Sequence, residues 1–198
     1  MRYTFKHWII TACCIALLPV ACSKREEQTS PTAESGAMKP ASAHSSGAAL
    51  KFTAPPEWVL EQPASSMRQA QYRLPRAEGD PEDAELVVFY FQGGGGGVQA
   101  NIDRWIGQFS KADGSPVTDA KTTNRQSHGI PLTILDVSGR YNSSAGGMST
   151  QPAVKPNYRM LAVVAESGSG PWFFRLTGPM KTVGKWEPGF QAFLETIQ

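Results

Sequence analysis

The 198-residue chain carries few side chains able to do acid–base or nucleophilic chemistry. Of its three histidines, only His128 falls in the apolar-rich part of the sequence, set between Ser127 and Gly129. Histidine is the usual general base because its pKa lies near neutrality, but a single one in a polar turn has no partner and reads as a solvated side chain. The three cysteines are Cys13, Cys14 and Cys22, and none follows. The domain beyond them can form neither a disulfide nor a thiolate metal site, and one histidine cannot make a zinc ligand set. A G-x-S-x-G nucleophile elbow is missing: around Ser167 the first position is Ala165, and Ser167-Gly168-Ser169-Gly170 reads as a hairpin loop. The acidic stretch 78–83 contains Glu78, Asp80, Glu82 and Asp83, but Pro81 and the spacing do not match a calcium loop. It reads as a solvated loop. Asp103, Asp119, Asp136 and Glu166 leave open a scattered carboxylate pair in a hydrolase or transferase, because sequence spacing does not exclude pairing in space.

Gly93 to Gly97 form an unbroken run between an apolar strand signal and a helix signal. Strand, glycine loop and helix N-terminus is the layout that cradles phosphates. The details argue otherwise. A Walker loop ends in Gly-Lys-Ser/Thr, whereas Gly97 is followed by Val98-Gln99, and counting G-x-G-x-x-G from Gly93 puts Val98 at the last glycine. The loop holds no base, so it reads as a connection that lets the helix fold back over the sheet, and no cofactor is expected. Arg68, Arg73, Arg104 and Arg175 lie in or beside apolar elements. If Arg68, Arg73 and Arg104 share a face, their guanidinium forks suit an anionic ligand. The alternative is pairing with acids or extension into solvent, which the alternation around Arg175, between Phe174 and Leu176, suggests. Trp58, Trp105, Trp172 and Trp186 read as core or core edge rather than a ligand platform.

Charge is unevenly placed. Nineteen bases face 17 acids, but the first 49 residues hold five bases and three acids, leaving 14 of each in the remainder. A neutral domain argues against nucleic acid as partner, since such domains carry basic patches that neutralise phosphates. The basic start, with Arg2 and Lys6, leads into an apolar run over 8–21. That run is shorter than the roughly 20 residues of a membrane-spanning helix and suits a signal peptide. Leu18-Pro19-Val20-Ala21-Cys22 resembles a bacterial lipobox, which implies lipidation at Cys22 and a protein held to a membrane by its N-terminal lipid. Ile10-Thr11-Ala12-Cys13 fits the letters but leaves an h-region of three or four residues. The other reading is ordinary secretory cleavage near Ala21. By the family's sorting rule, Ser23 in place of Asp implies the periplasmic side of the outer membrane, given a two-membrane bacterium.

Residues 23–49 are almost wholly Ser, Ala, Gly, Thr, Pro and charge. Such a segment cannot offset its ordering entropy and is expected to be a tether reaching about 30 Å. From residue 50 aromatic and β-branched runs begin. The strand signals are 66–74, 85–91, 132–137, 158–165 and 172–177. The run 85–91 is apolar on both alternating sets, which places it centrally in a sheet covered on both faces. Val98, Ile102, Trp105, Ile106 and Phe109 form one helical stripe, and Phe190, Phe193, Leu194 and Ile197 a second, with Pro188 near its start. Residues 142–156 read as a long exposed loop. The chain is therefore expected to comprise a signal peptide over 1–21, Cys22 and tether to 49, and one α+β domain over 50–198, a mainly antiparallel sheet covered by two or more helices. The opening Phe52-x-Ala-Pro-Pro-Glu-Trp58, the strand run and the C-terminal amphipathic helix resemble the PsbP-like fold of photosystem accessory subunits and small bacterial lipoproteins. That resemblance implies binding or assembly support by a non-enzymatic domain, its partner an envelope protein or a small molecule.

Overall fold

The computed structural model describes residues 50–92, 94–143 and 153–198. The signal segment, Cys22, the tether and residues 144–152 of the expected loop lie outside the described residues. No described helix is long and apolar enough to cross a membrane.

Eight antiparallel strands form one sheet: β1 (Val59–Glu61), β2 (Arg68–Leu74), β3 (Ala84–Tyr90), β4 (Phe109–Ser110), β5 (Lys121–Ser127), β6 (Ile130–Asn142), β7 (Val154–Ser167) and β8 (Gly170–Pro179). The spatial order is β1-β2-β3-β8-β7-β6, with β4 and β5 both pairing with β6. Two helices complete the fold, α1 (Val98–Ile106) and α2 (Met180–Glu195). This is the α+β, mainly antiparallel architecture that the strand and helix signals call for.

Side chains alternate across the sheet, so strands buried on both faces feed two separate cores. Leu86, Val88, Phe174, Leu176, Leu161 and Val163 point to α2, where they meet Val183, Phe190, Phe193 and Leu194. Val87, Phe89, Phe173, Ala162, Val164 and Leu135 point the other way, to Ile102 and Trp105 of α1 and to Phe109. The expectation for 85–91 holds. Burying Ile102 and Trp105 stabilises the docking of α1 by about 2–3 kcal/mol each relative to leaving them in water. The helix itself is shorter than its stripe: Gly107 ends it, and Phe109 anchors β4 in the same core.

The second helix begins ten residues before Phe190, and Pro188 lies in its interior rather than near its start. A mid-helix proline removes a backbone hydrogen bond and normally breaks the helix. Here tertiary contacts on the first half outweigh it. The Asp80 carboxylate accepts from Thr182 N (2.8 Å) and Oγ1 (2.6 Å), Trp186 Nε1 donates to Pro75 O (2.8 Å), and Arg159 Nη1 donates to Glu187 (2.7 Å). One stretch without a sequence assignment and part of one expected loop are strand. Residues 121–127, all polar, form strand β5, because β6 supplies the pairing and the outer edge stays in water. Val154 to Pro156 of the expected 142–156 loop are the first residues of β7.

The hairpins follow their turn chemistry. β5 and β6 are joined by His128 and Gly129, both with positive φ (46° and 82°), as a tight two-residue hairpin demands. The exposed His128 ring contacts Glu195 O at 3.1 Å. Gly168 and Ser169 connect β7 to β8, the hairpin expected there. The two ends of the domain are tied together: Lys51 N donates to Gln198 O (2.7 Å) and Gln198 N returns to Lys51 O (3.0 Å).

Candidate functional site

The acidic stretch over 78–83 is not a freely solvated loop. Asp80 caps α2. Asp83 accepts from Arg73 Nη1 (3.0 Å) and from the Arg76 backbone N (2.8 Å). Glu82 accepts from Lys155 Nζ (2.7 Å) and from the Tyr158 hydroxyl. Burial opposes ionisation of Glu82, but those two donors outweigh it and hold its pKa below the usual carboxylate value, while burial and the Glu82 charge push the Tyr158 phenol upward. Three acids are thus committed to internal partners. Among the described residues no group of three or more His, Cys, Asp or Glu gathers as a metal site.

The arginines separate into two kinds. Arg68 pairs with Glu85 (2.9 Å) and also donates to Gln71; Arg73 pairs with Glu61 (3.0 Å) and Asp83. Both are spent on acids delivered by neighbouring strands, so the anion site expected from Arg68, Arg73 and Arg104 does not assemble from the first two. Arg104 has no acid partner among the described residues. It projects exposed from α1 and donates to the Asn101 side chain one turn back. The structure brings Arg104 together instead with Arg175 of β8, beside one cavity of about 370 Å³.

That cavity lies between α1 and the sheet, roofed by the backbone of Gly95 and Gly96. Its walls are four rings: Phe89 from β3, Phe91 just after it, Trp105 from α1 and Phe173 from β8. Phe91 tilts against Phe173 at 5.8 Å and Trp105 meets Phe173 edge-on at 6.1 Å. The backbone places each wall. Phe173 and Phe89 are cross-strand partners, and Arg175 pairs with Val87 on one side and Ala162 on the other. Arg175 is therefore held on the α1 face of a doubly covered sheet, with Phe173 two residues before it on the same face.

Arg175 is poorly compensated there. Its Nε is buried without a hydrogen-bond partner, and Nη2 reaches only the Tyr141 hydroxyl at 3.4 Å. Burial lowers its pKa below the ordinary arginine value; Tyr141 and Glu85 attract the charge and Arg104 repels it. Glu85 is itself engaged by Arg68. Because arginine starts so far above neutrality, the guanidinium stays charged. At the far end of α1, Gln108 is 1% exposed and its Oε1 accepts from nothing. Both residues border the cavity, but the two orphaned atoms themselves are covered by protein and do not open into it.

Gly95 and Gly96 of the glycine run form this roof. Gly95 has φ +106°, and a Cβ there would lie 2.9 Å from the Phe173 ring. Asn101, 1% exposed, fixes the loop by donating from Nδ2 to Gly95 O (2.8 Å) and Gly97 O (3.0 Å). Its Oδ1 receives Arg104. One side chain therefore connects the roof to a cavity arginine.

None of the four scattered carboxylates reaches the cavity. Asp136 is held by two nitrogens of Arg159 at 2.8 and 2.7 Å on the α2 face, Asp103 accepts from Gln99 (2.8 Å), and Asp119 and Glu166 are exposed. Trp58 and Trp172 are core, as expected; Trp105 is core and cavity wall at once. Gln108 and Asn101 carry no signal in the sequence reading. Arg175 does not extend freely into solvent as its alternation suggests: it follows Trp172, Phe173 and Phe174 in a strand buried on both faces and is mostly covered.

No family model matches the chain, and no curated protein matches it. Among solved structures, a Pseudomonas aeruginosa protein of unknown function superposes with a TM-score of 0.46 at 13% identity, covering 72% of this chain and 96% of its own. The solution structure of cyanobacterial PsbP (CyanoP) from Synechocystis sp. PCC 6803 superposes at 0.43, also with 13% identity, covering 75% of this chain and 85% of its own. The second belongs to the family that the Phe52 to Trp58 opening resembles. Neither likeness assigns a role to any residue of this chain.

Proposed function

We propose that the protein is a lipid-anchored component of a bacterial cell envelope whose α+β domain binds a small organic molecule between α1 and the sheet without transforming it. The cavity carries this reading: about 370 Å³, within the range of ligand sites, with four aromatic walls and two arginines that have no acid partner among the described residues. No carboxylate, histidine or hydroxyl nucleophile lines it. The lipid anchor is supported by the lipobox-like Leu18 to Cys22 and the polar tether after it.

Two experiments test the two halves. Metabolic labelling with a radioactive fatty acid should mark the native protein and fail to mark a Cys22→Ala variant; equal incorporation in both removes the anchor. For the domain, thermal unfolding of the purified full-length protein is followed against a broad panel of neutral, cationic and anionic organic compounds. A saturating ligand at 100 times its Kd raises stability by about 2.7 kcal/mol. A panel without a single stabilising compound sinks the binding reading, and turnover of any bound compound sinks its non-catalytic part.

A further inference from the structure

We infer that the molecule taken by the cavity is an aromatic carboxylate; this rests on the binding reading above and names its ligand class. Charge sets the first requirement. Arg104 and Arg175 both line the cavity, neither has an acid partner among the described residues, and no acid lines the walls. A cation would be repelled, and a neutral molecule would leave both charges uncompensated. A carboxylate accepts from the terminal nitrogens of a guanidinium through two oxygens.

The walls set the second requirement. Phe89, Phe91, Trp105 and Phe173 enclose the space with tilted and edge-on orientations. A ring placed among them gains edge-to-face contacts beyond simple burial, about 2- to 12-fold in affinity for each good pair. Size limits the ring system: a cavity of about 370 Å³ is about 9 Å across if spherical, at the small end of ligand sites. One ring or a fused pair with its acid group fits that span. Inorganic phosphate would leave the rings uncovered.

The test uses the purified full-length protein and four probes: 4-hydroxyphenylacetate, phenylacetate, hexanoate and tyramine. Binding is read by calorimetry, with the fluorescence of Trp105 in the cavity wall as a second signal. Expected are saturable binding of 4-hydroxyphenylacetate and phenylacetate, weakening by about 2- to 12-fold or more for hexanoate from loss of the ring contacts, and no binding of tyramine. Arg175→Met should weaken both aromatic acids tenfold or more. Should Arg175→Met fail to give a native circular dichroism spectrum, Arg175→Lys keeps the charge but loses the fork, and the same weakening is expected. Hexanoate binding as tightly as the aromatic acids overturns the ring assignment, and tyramine binding overturns the charge assignment; in either case the cavity still binds small molecules. Failure of all four probes overturns the inference, and if the broad panel also yields nothing, the binding reading falls with it.

Discussion

Arg175→Met should make the unliganded protein more stable. An ion withdrawn from water costs several kcal/mol unless partners compensate it. At Arg175 the compensation is one contact of 3.4 Å to a tyrosine hydroxyl, and the orphaned Nε–H adds about 1–3 kcal/mol of lost hydration. The side chain is partly exposed through the cavity, which softens both costs. Methionine restores most of the apolar stem against Val87 and Ala162 and brings no polar atom that demands a partner. The net expectation is a gain of about 1–3 kcal/mol, at roughly 2–4 °C in Tm per kcal/mol for a domain of this size. Thermal melts by circular dichroism in low-salt, carboxylate-free buffer measure it, with urea titration as a check on sign. A variant melting 2 °C or more below the native protein in both assays would refute the view that this arginine is uncompensated in the empty cavity.

Arg159 provides the contrast. Its side chain is 16% exposed and is bonded to Asp136 and Glu187, so Arg159→Met should destabilise by about 1–3 kcal/mol, seen as a lower Tm with α2 loosened from the sheet. Gly95→Ala should cost about 1–3 kcal/mol, because φ of +106° disfavours a Cβ and the new atom meets Phe173; a Tm unchanged within 1 °C would show that the roof is free to shift. Acid should weaken the fold through Glu82 and Asp83. Both have folded pKa values below their ordinary ones, so their contribution is complete above about pH 4.5 and is lost as pH falls through the lowered folded values. Glu82→Gln should flatten the acid limb of a Tm-against-pH curve, and an unchanged limb would remove Glu82 from the account.

What the sequence revealed follows how local each signal is. The both-face apolar pattern of β3 and the stripe of α1 were legible because each is written in consecutive residues and the core is built on them. β5 was not: Lys121 to Gln126 hold no apolar side chain, and the strand exists because β6 offers it hydrogen bonds from 130 to 136. The first half of α2 was hidden by Pro188, since the caps and ties that offset it come from Asp80, Pro75 and Arg159, far away in the chain. The arginines show the same limit most sharply. Arg68 and Arg175 look alike in sequence, each beside apolar neighbours. Only the register, which sets Glu85 opposite Arg73 and within reach of Arg68 but Val87 beside Arg175, decides which charge gains an acid partner and which does not.

The pairing of Lys51 with Gln198 fixes where this domain can be handled. Leu50 packs in the core under α2, so both ends of the described domain emerge on that side of the sheet, and the ring-walled cavity lies on the other. On the proposed anchored reading, attachment upstream of residue 50 would leave the cavity on the side away from the attachment point. A reporter fused after Gln198 would sit beside residue 50 and leave the cavity clear, whereas one inserted in the glycine roof would block it.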